Sequence, residues 1–168
     1  IQPRGVKKKD FWIIKIDAQG ELEWEKSYGE EGEEEAYSLI QTKGGGYAVA
    51  GYKRVKDGER KDFWIIKLNE KGSQEWNRIY GGESWERDRS IIQIEDGGYL
   101  VVGETWSKGA GKADIWLIKL NSQGDLEWDR TYGGRDVDLA SKIIQTRNKD
   151  FIISGCTSSK GNGLFDIW

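Results

Sequence analysis

Five residues hold most of the chemistry this chain offers. Glu34, Glu86 and Asp138 place one carboxylate at the same point of every copy of an internal repeat. A set of such acids at one mouth of the fold is a candidate cation or ligand site, and paired carboxylates are also the machinery of glycoside hydrolysis. The plainer alternative is a surface ion-pair network that keeps loops ordered, at about 0–1 kcal/mol per pair. Trp85 and Trp106 are notable for the opposite reason, since both break the repeat. Trp85 stands where the other copies carry Glu33 and Val137, and Trp106 where they carry Arg54 and Ser158. Indoles that the repeat does not require mark a candidate binding surface for a protein or a glycan.

Other chemistries are narrowed by composition. With no His and a single Cys, the chain alone cannot assemble a Ser-His-Asp triad, a Cys-His pair or an imidazole metal site. Cys156 sits in an apolar strand with no second Cys to bridge it, so a buried, inert thiol is expected. The net charge is −3, with acidic and basic residues interleaved, and no apolar run approaches the ~18–20 residues of a spanning helix. Neither a nucleic acid nor a membrane span is expected. Abundant Glu and Lys with no Met fit a thermophilic source.

The elements that position these residues recur every 52 residues without insertion. Asp-Phe-Trp-Ile-Ile-Lys at 10–15 returns at 62–67 and, as Asp-Ile-Trp-Leu-Ile-Lys, at 114–119, and the chain stops at Asp166-Ile167-Trp168. The repeats are thus 10–61, 62–113 and 114–165, with a fourth opening at 166–168. Four strands are predicted per period, at 88–95, 98–104, 114–120 and 126–132 in the middle copy. Apolar residues are continuous in the second and third strands, as in strands covered on both faces. In the fourth they alternate, as in an outer strand. Asp or Asn followed by Gly marks tight turns at one end of the strands. The longer links 81–87 and 105–113 lie at the other end, which therefore gathers Trp85 and Trp106 on one face. Trp and Tyr residues present in every copy (Trp12, Trp64, Trp116, Trp168; Tyr28, Tyr80, Tyr132) are expected in the core. Lys15, Lys67 and Lys119 are expected to snorkel from the strand ends, and Asp10, Asp62, Asp114 and Asp166 to tie down loop amides.

Four-stranded antiparallel units of this period point to an all-β fold, a β-propeller of four-stranded blades, with a β-solenoid as the rival. The succession Asp-Phe-Trp-Ile-Ile-Lys-Leu, Tyr-Gly-Gly, Ile-Gln-Thr and Gly-Gly-Tyr-x-Val-x-Gly resembles the propeller repeats of bacterial and archaeal secreted or surface proteins. That resemblance implies an extracellular or cell-surface location. Asp17-Ala-Gln-Gly20-Glu-Leu-Glu-Trp24 is also similar to a segment of quinoprotein propeller repeats. What carries over is a docking role for Trp24, Trp76 and Trp128 between neighbouring blades, and no cofactor is implied.

In propeller order the chain contains two whole blades, flanked by the third and fourth strands of one blade and the first strands of another. Three repeats fall short of the four to eight blades that close a ring. The expectation is that the sequence is a fragment of a longer chain whose further blades complete the ring, or that a second copy associates head to tail to give six. The expected function is a non-enzymatic binding module of an exported or surface protein, with a protein or glycan ligand on the variable loop face. A structural module that oligomerises through open edges is the alternative, and a polysaccharide-active enzyme the third reading.

Overall fold

The computed structural model describes residues 9–30, 32–55 and 60–160 and the backbone of 166–167. Trp168, named above, lies outside the described residues. All the regular structure there is β, in thirteen strands. The first sheet holds β1 (Phe11–Ile16) and β2 (Leu22–Tyr28). The second holds β3 (Glu34–Gln41), β4 (Tyr47–Arg54), β5 (Lys61–Leu68) and β6 (Gln74–Tyr80). The third holds β7 (Glu86–Gln93), β8 (Tyr99–Thr105), β9 (Asp114–Leu120) and β10 (Leu126–Tyr132). The fourth holds β11 (Asp138–Gln145), β12 (Phe151–Thr157) and β13 (Asp166–Ile167). Within each sheet the strands pair antiparallel in chain order.

The sequence period is reproduced in the hydrogen-bond register. Gly51 faces Trp64 across β4 and β5, and Gly103 faces Trp116 across β8 and β9. The opening strands β3, β7 and β11 each carry a bulge at the same repeat position, with Tyr37, Arg89 and Ser141 as the extra residues. A second bulge leaves Glu23, Glu75 and Glu127 as the extra residue of the outer strand. A bulge re-aims one side chain, and here each glutamate ion-pairs with the lysine of the neighbouring strand: Lys15 with Glu23, Lys67 with Glu75 at 2.8 Å, and Lys119 with Glu127.

The tight turns follow from their Asx residues. Asn121 Oδ1 accepts the amides of Gln123 and Asp125 at 2.9 and 2.8 Å, and Gly124 closes the turn at φ 82°, a conformation that favours glycine. In the other hairpin turn, Gly45 and Gly97 hold the equivalent positive φ, and the third copy places Lys149 there at φ 70°.

Successive sheets pack face to face through three apolar clusters. Phe11 and Ile13 of the first sheet meet Val49, Trp64, Ile66 and Leu68 of the second. Phe63 and Ile65 meet Trp116, Ile118 and Leu120 of the third. Leu100, Val102, Ile115 and Leu117 meet Ala140 and Ile143 of the fourth. The strands with continuous apolar sequence, β8 and β9, are buried on both faces, and β6 and β10 form sheet edges, as predicted.

The core expectation holds in the middle of the array and fails at its two outer faces. Trp64 and Trp116 are buried, whereas Trp12 is 64% exposed, since among the described residues no sheet covers the outer face of β1. Tyr132 is exposed for the corresponding reason at the other end. Cys156 is half-buried rather than buried.

Candidate functional site

The two links between strands run side by side, and one backbone contact joins them in every copy. The amide of Trp106 donates to the carbonyl of Trp85 at 2.9 Å, that of Arg54 to Glu33 at 2.8 Å, and that of Ser158 to Val137 at 2.9 Å. The scaffold therefore presents one adjacent pair of side chains per repeat and changes its chemistry each time. The pairs are a salt bridge (Arg54 Nη2 to Glu33 Oε2, 3.0 Å), two tryptophans, and Val137 with Ser158. Trp85 and Trp106 are 46% and 39% exposed, so both expected indoles reach solvent on one face.

Lys61 connects the first two pairs. Its Nζ lies 3.8 Å from Glu33 Oε1, 3.8 Å from the centroid of the Tyr52 ring and 5.8 Å from that of Trp85. Burial, together with the positive charges of Arg87 and Arg54, pulls its ammonium below the usual lysine range against the pull of Glu33. The buried Tyr52 places its one hydroxyl proton between two acceptors, Glu33 Oε1 at 2.7 Å and Glu35 Oε2 at 3.0 Å. Burial and these two carboxylates push the Tyr52 phenol well up. The same hydroxyl, followed by Lys61, Arg54 and Lys9, holds Glu33 below the ordinary carboxylate range despite partial burial. The patch thus sets two exposed aromatic faces beside a fixed carboxylate and a fixed cation. Lys61, Glu33 and Arg54 were not singled out from the sequence as binding residues, although Glu33 and Arg54 sit one period before the two tryptophans.

Glu34, Glu86 and Asp138 belong elsewhere. They were expected at a solvent-facing mouth, and the structure buries them, at 0%, 1% and 0% exposure. Each opens the first strand of its sheet and turns back onto the link that leads into it. Glu86 accepts from the Gly82 amide at 3.1 Å and from the Thr105 hydroxyl at 2.9 Å. Asp138 accepts from Gly134 N at 2.7 Å, from Ser159 Oγ at 2.6 Å and from the Thr157 hydroxyl. Glu34 has Lys53 Nζ at 3.7 Å where the other copies have threonine. Burial opposes ionisation of Asp138, but its donors hold the pKa down; at Glu34 burial prevails over Lys53 and the pKa is raised.

The recurring aspartate of the preceding sheet closes this arrangement. Asp114 Oδ2 accepts the amides of Ala110 and Gly111 at 2.9 and 3.0 Å, the expected loop-tying role. A Cβ on Gly133 would stand 1.9 Å from Asp114 Oδ1 and 2.7 Å from Asp138 Oδ2, which explains why the Tyr-Gly-Gly step tolerates only glycine there. These acids fix the loops that carry the variable pairs. Among the described residues no group of three or more His, Cys, Asp or Glu is placed to hold a metal ion.

Trp76 shows the docking geometry expected of its series. It packs edge-on against Tyr99 of the next sheet at 5.9 Å between centroids and covers the Gly124 turn, while Trp24 does the same with Tyr47 at 6.0 Å and with Gly72.

No family model matches the chain, and no curated protein matches it. Among solved structures it is similar to a protein of unknown function from Bacteroides caccae, at TM-score 0.55 and 11% identity over 86% of this chain. The chain spans about half (52%) of that protein's length. At this identity the likeness concerns the fold alone.

Proposed function

We propose that the chain is a propeller-type binding module of an exported or cell-surface protein, and that Trp85 and Trp106 form its ligand platform. Support for the radial arrangement comes from the four-stranded antiparallel sheets stacked face to face, with the innermost strands β3, β7 and β11 adjoining in sequence. The observation that carries the binding role is the variable pair itself. One invariant backbone contact holds two exposed indoles in one copy and a salt bridge in the copy beside it, and Lys61 spans the gap. Exposed indole faces stack on the C–H faces of a pyranose, and the flanking Glu33, Arg54 and Lys61 supply acceptors and donors for its hydroxyls. A glycan is the ligand class this combination suits best, and the binding involves no bond-breaking step.

Glycan-array screening followed by calorimetry tests the reading. Trp85→Ala and Trp106→Ala should each weaken binding at least tenfold and leave the melting temperature within about 2 °C, as expected of exposed side chains. Binding that survives the double substitution, or an array with no hits alongside tight capture of a polypeptide, would remove the glycan assignment.

A further inference from the structure

Lys61 holds a repeat position whose partner has been exchanged. The residue before the recurring aspartate lies alongside the first member of the next variable pair: Lys9 bridges to Glu33 and Ala113 to Val137 in short parallel contacts. The first of these junctions is an ion pair, Lys9 Nζ to Glu33 Oε1 at 3.7 Å, and the other is apolar. At the junction between them the same two positions hold Lys61 and Trp85. The cation has been kept there, and the anion opposite it has become an indole.

The ammonium that remains is poorly matched. Lys61 is only 9% exposed, and a charge that far out of water normally has both a counter-charge and hydrogen bonds. Among the described residues no oxygen accepts a hydrogen bond from its Nζ, and its ion-pair partner Glu33 Oε1 stands 3.8 Å away. Glu33 is engaged more closely by the Tyr52 hydroxyl at 2.7 Å and by Arg54 at 3.0 Å. The rings of Tyr52 and Trp85, at 3.8 and 5.8 Å, attract the cation through their faces but provide no oxygen acceptor. Within reach of Lys61, Arg54 and Arg87 add two positive charges against the two carboxylates of Glu33 and Glu35. With Lys61 itself, one positive charge is left unbalanced.

We infer that Lys61 is the subsite for a carboxylate on the ligand, so that the platform selects glycans built of uronic-acid sugars over neutral ones. The inference rests on the glycan reading above and names the class of glycan. A uronic-acid ring stacked on the Trp85 indole carries its carboxylate at the ring edge, and the Lys61 ammonium stands beside that same indole. The carboxylate takes up the unused N–H donors of the ammonium and restores the counter-charge that Glu33 gives Lys9 one repeat earlier. Trp106, joined to Trp85 through the backbone, offers a ring face to the adjoining sugar. A sulfate ester supplies the same charge, and the test separates the two.

Oligogalacturonates and oligoglucuronates, their methyl esters, neutral oligosaccharides of equal length and sulfated forms of these are titrated calorimetrically into the 168-residue chain. The acids should bind about tenfold tighter than the esters, which keep the rings and lose the charge, and the difference should shrink as salt is raised. Lys61→Met should bring acid and ester to about equal affinity, Lys61→Arg should keep most of the preference, and Trp85→Ala should weaken both forms together. The comparison of acid with ester on the unaltered chain holds even if the methionine variant fails to fold. Esters bound as tightly as acids, with both lost in Trp85→Ala, would overturn the inference and leave the glycan platform standing. An acid preference that survives Lys61→Met, or tighter binding of a sulfated oligosaccharide than of the uronates, would also overturn it. No binding of any acidic, esterified, neutral or sulfated oligosaccharide would overturn both readings.

Discussion

The Asp62 carboxyl of the second sheet lies against the Glu86 carboxylate of the third, and burial together with that neighbour raises its pKa to about 6. In the unfolded chain the same acid titrates near 3.8. The folded state thus holds the proton more tightly, and the stability from this group is complete below about pH 4 and lost as pH rises through 6. At about 1.4 kcal/mol per unit, the loss is at most ~3 kcal/mol. Asp62→Asn keeps the group neutral at every pH. Thermal melts should show it more stable than the parent at pH 7–8, with the two curves converging near pH 4. A pH-independent offset would contradict the shared-proton account.

Asp88 is a second acid with a cost at neutral pH. It is fully buried on β7, at the position held by Ala36 and Ala140 in the other copies, and among the described residues neither carboxylate oxygen finds a hydrogen-bond partner. Burial raises its pKa well above the ordinary aspartate value, and Glu104 adds to the shift. Asp88→Ala restores the repeat residue and removes an unsatisfied group of about 1–3 kcal/mol. Denaturant titration at pH 7 should show a gain of that order that shrinks on acidification. A loss at pH 7 would mean that the carboxylate has a stabilising partner.

The period, the strands, their order in each sheet and the exposure of Trp85 and Trp106 were legible because they rest on spacing, apolar continuity and departures from the repeat. The placement of Glu34, Glu86 and Asp138 was not, since spacing places an acid at the start of a strand without saying which way its side chain turns. The direction is set by Gly82 and Gly134, which expose amides four residues upstream, and by the Thr105 and Thr157 hydroxyls across the strand pair. A glycine pair before a strand-opening acid was the available signal. Lys61 was missed for a related reason: its neighbours Glu33, Tyr52 and Trp85 come from two sheets, and a repeat pattern read copy by copy does not bring them together.

Arg89 projects from the bulge of β7 and holds the buried Glu104, with Nη2 2.8 Å and Nε 3.1 Å from Oε1. Burial raises the pKa of Glu104 and Arg89 pulls it back. Arg89→Ala leaves that carboxylate buried without its cation and should cost about 3 kcal/mol in chemical denaturation. Replacing both residues with leucine should recover most of the loss, because the penalty belongs to the stranded charge. A double variant as unstable as the single one would assign the loss to packing around the bulge instead.

Trp76 and Trp128 occupy the same repeat position under different cover. Trp76 lies under the Gly124 turn and against Tyr99, while Trp128 lines an open groove between the third and fourth sheets. Trp76→Ala removes a half-buried indole from a closed contact, at about 2–3 kcal/mol, below the full-burial range. Trp128→Ala should cost less than ~1 kcal/mol, since among the described residues one side of its ring has no partner atoms. Chemical denaturation of both variants should show that difference, and a Trp128→Ala cost equal to that of Trp76→Ala would mean that the groove is closed over its indole.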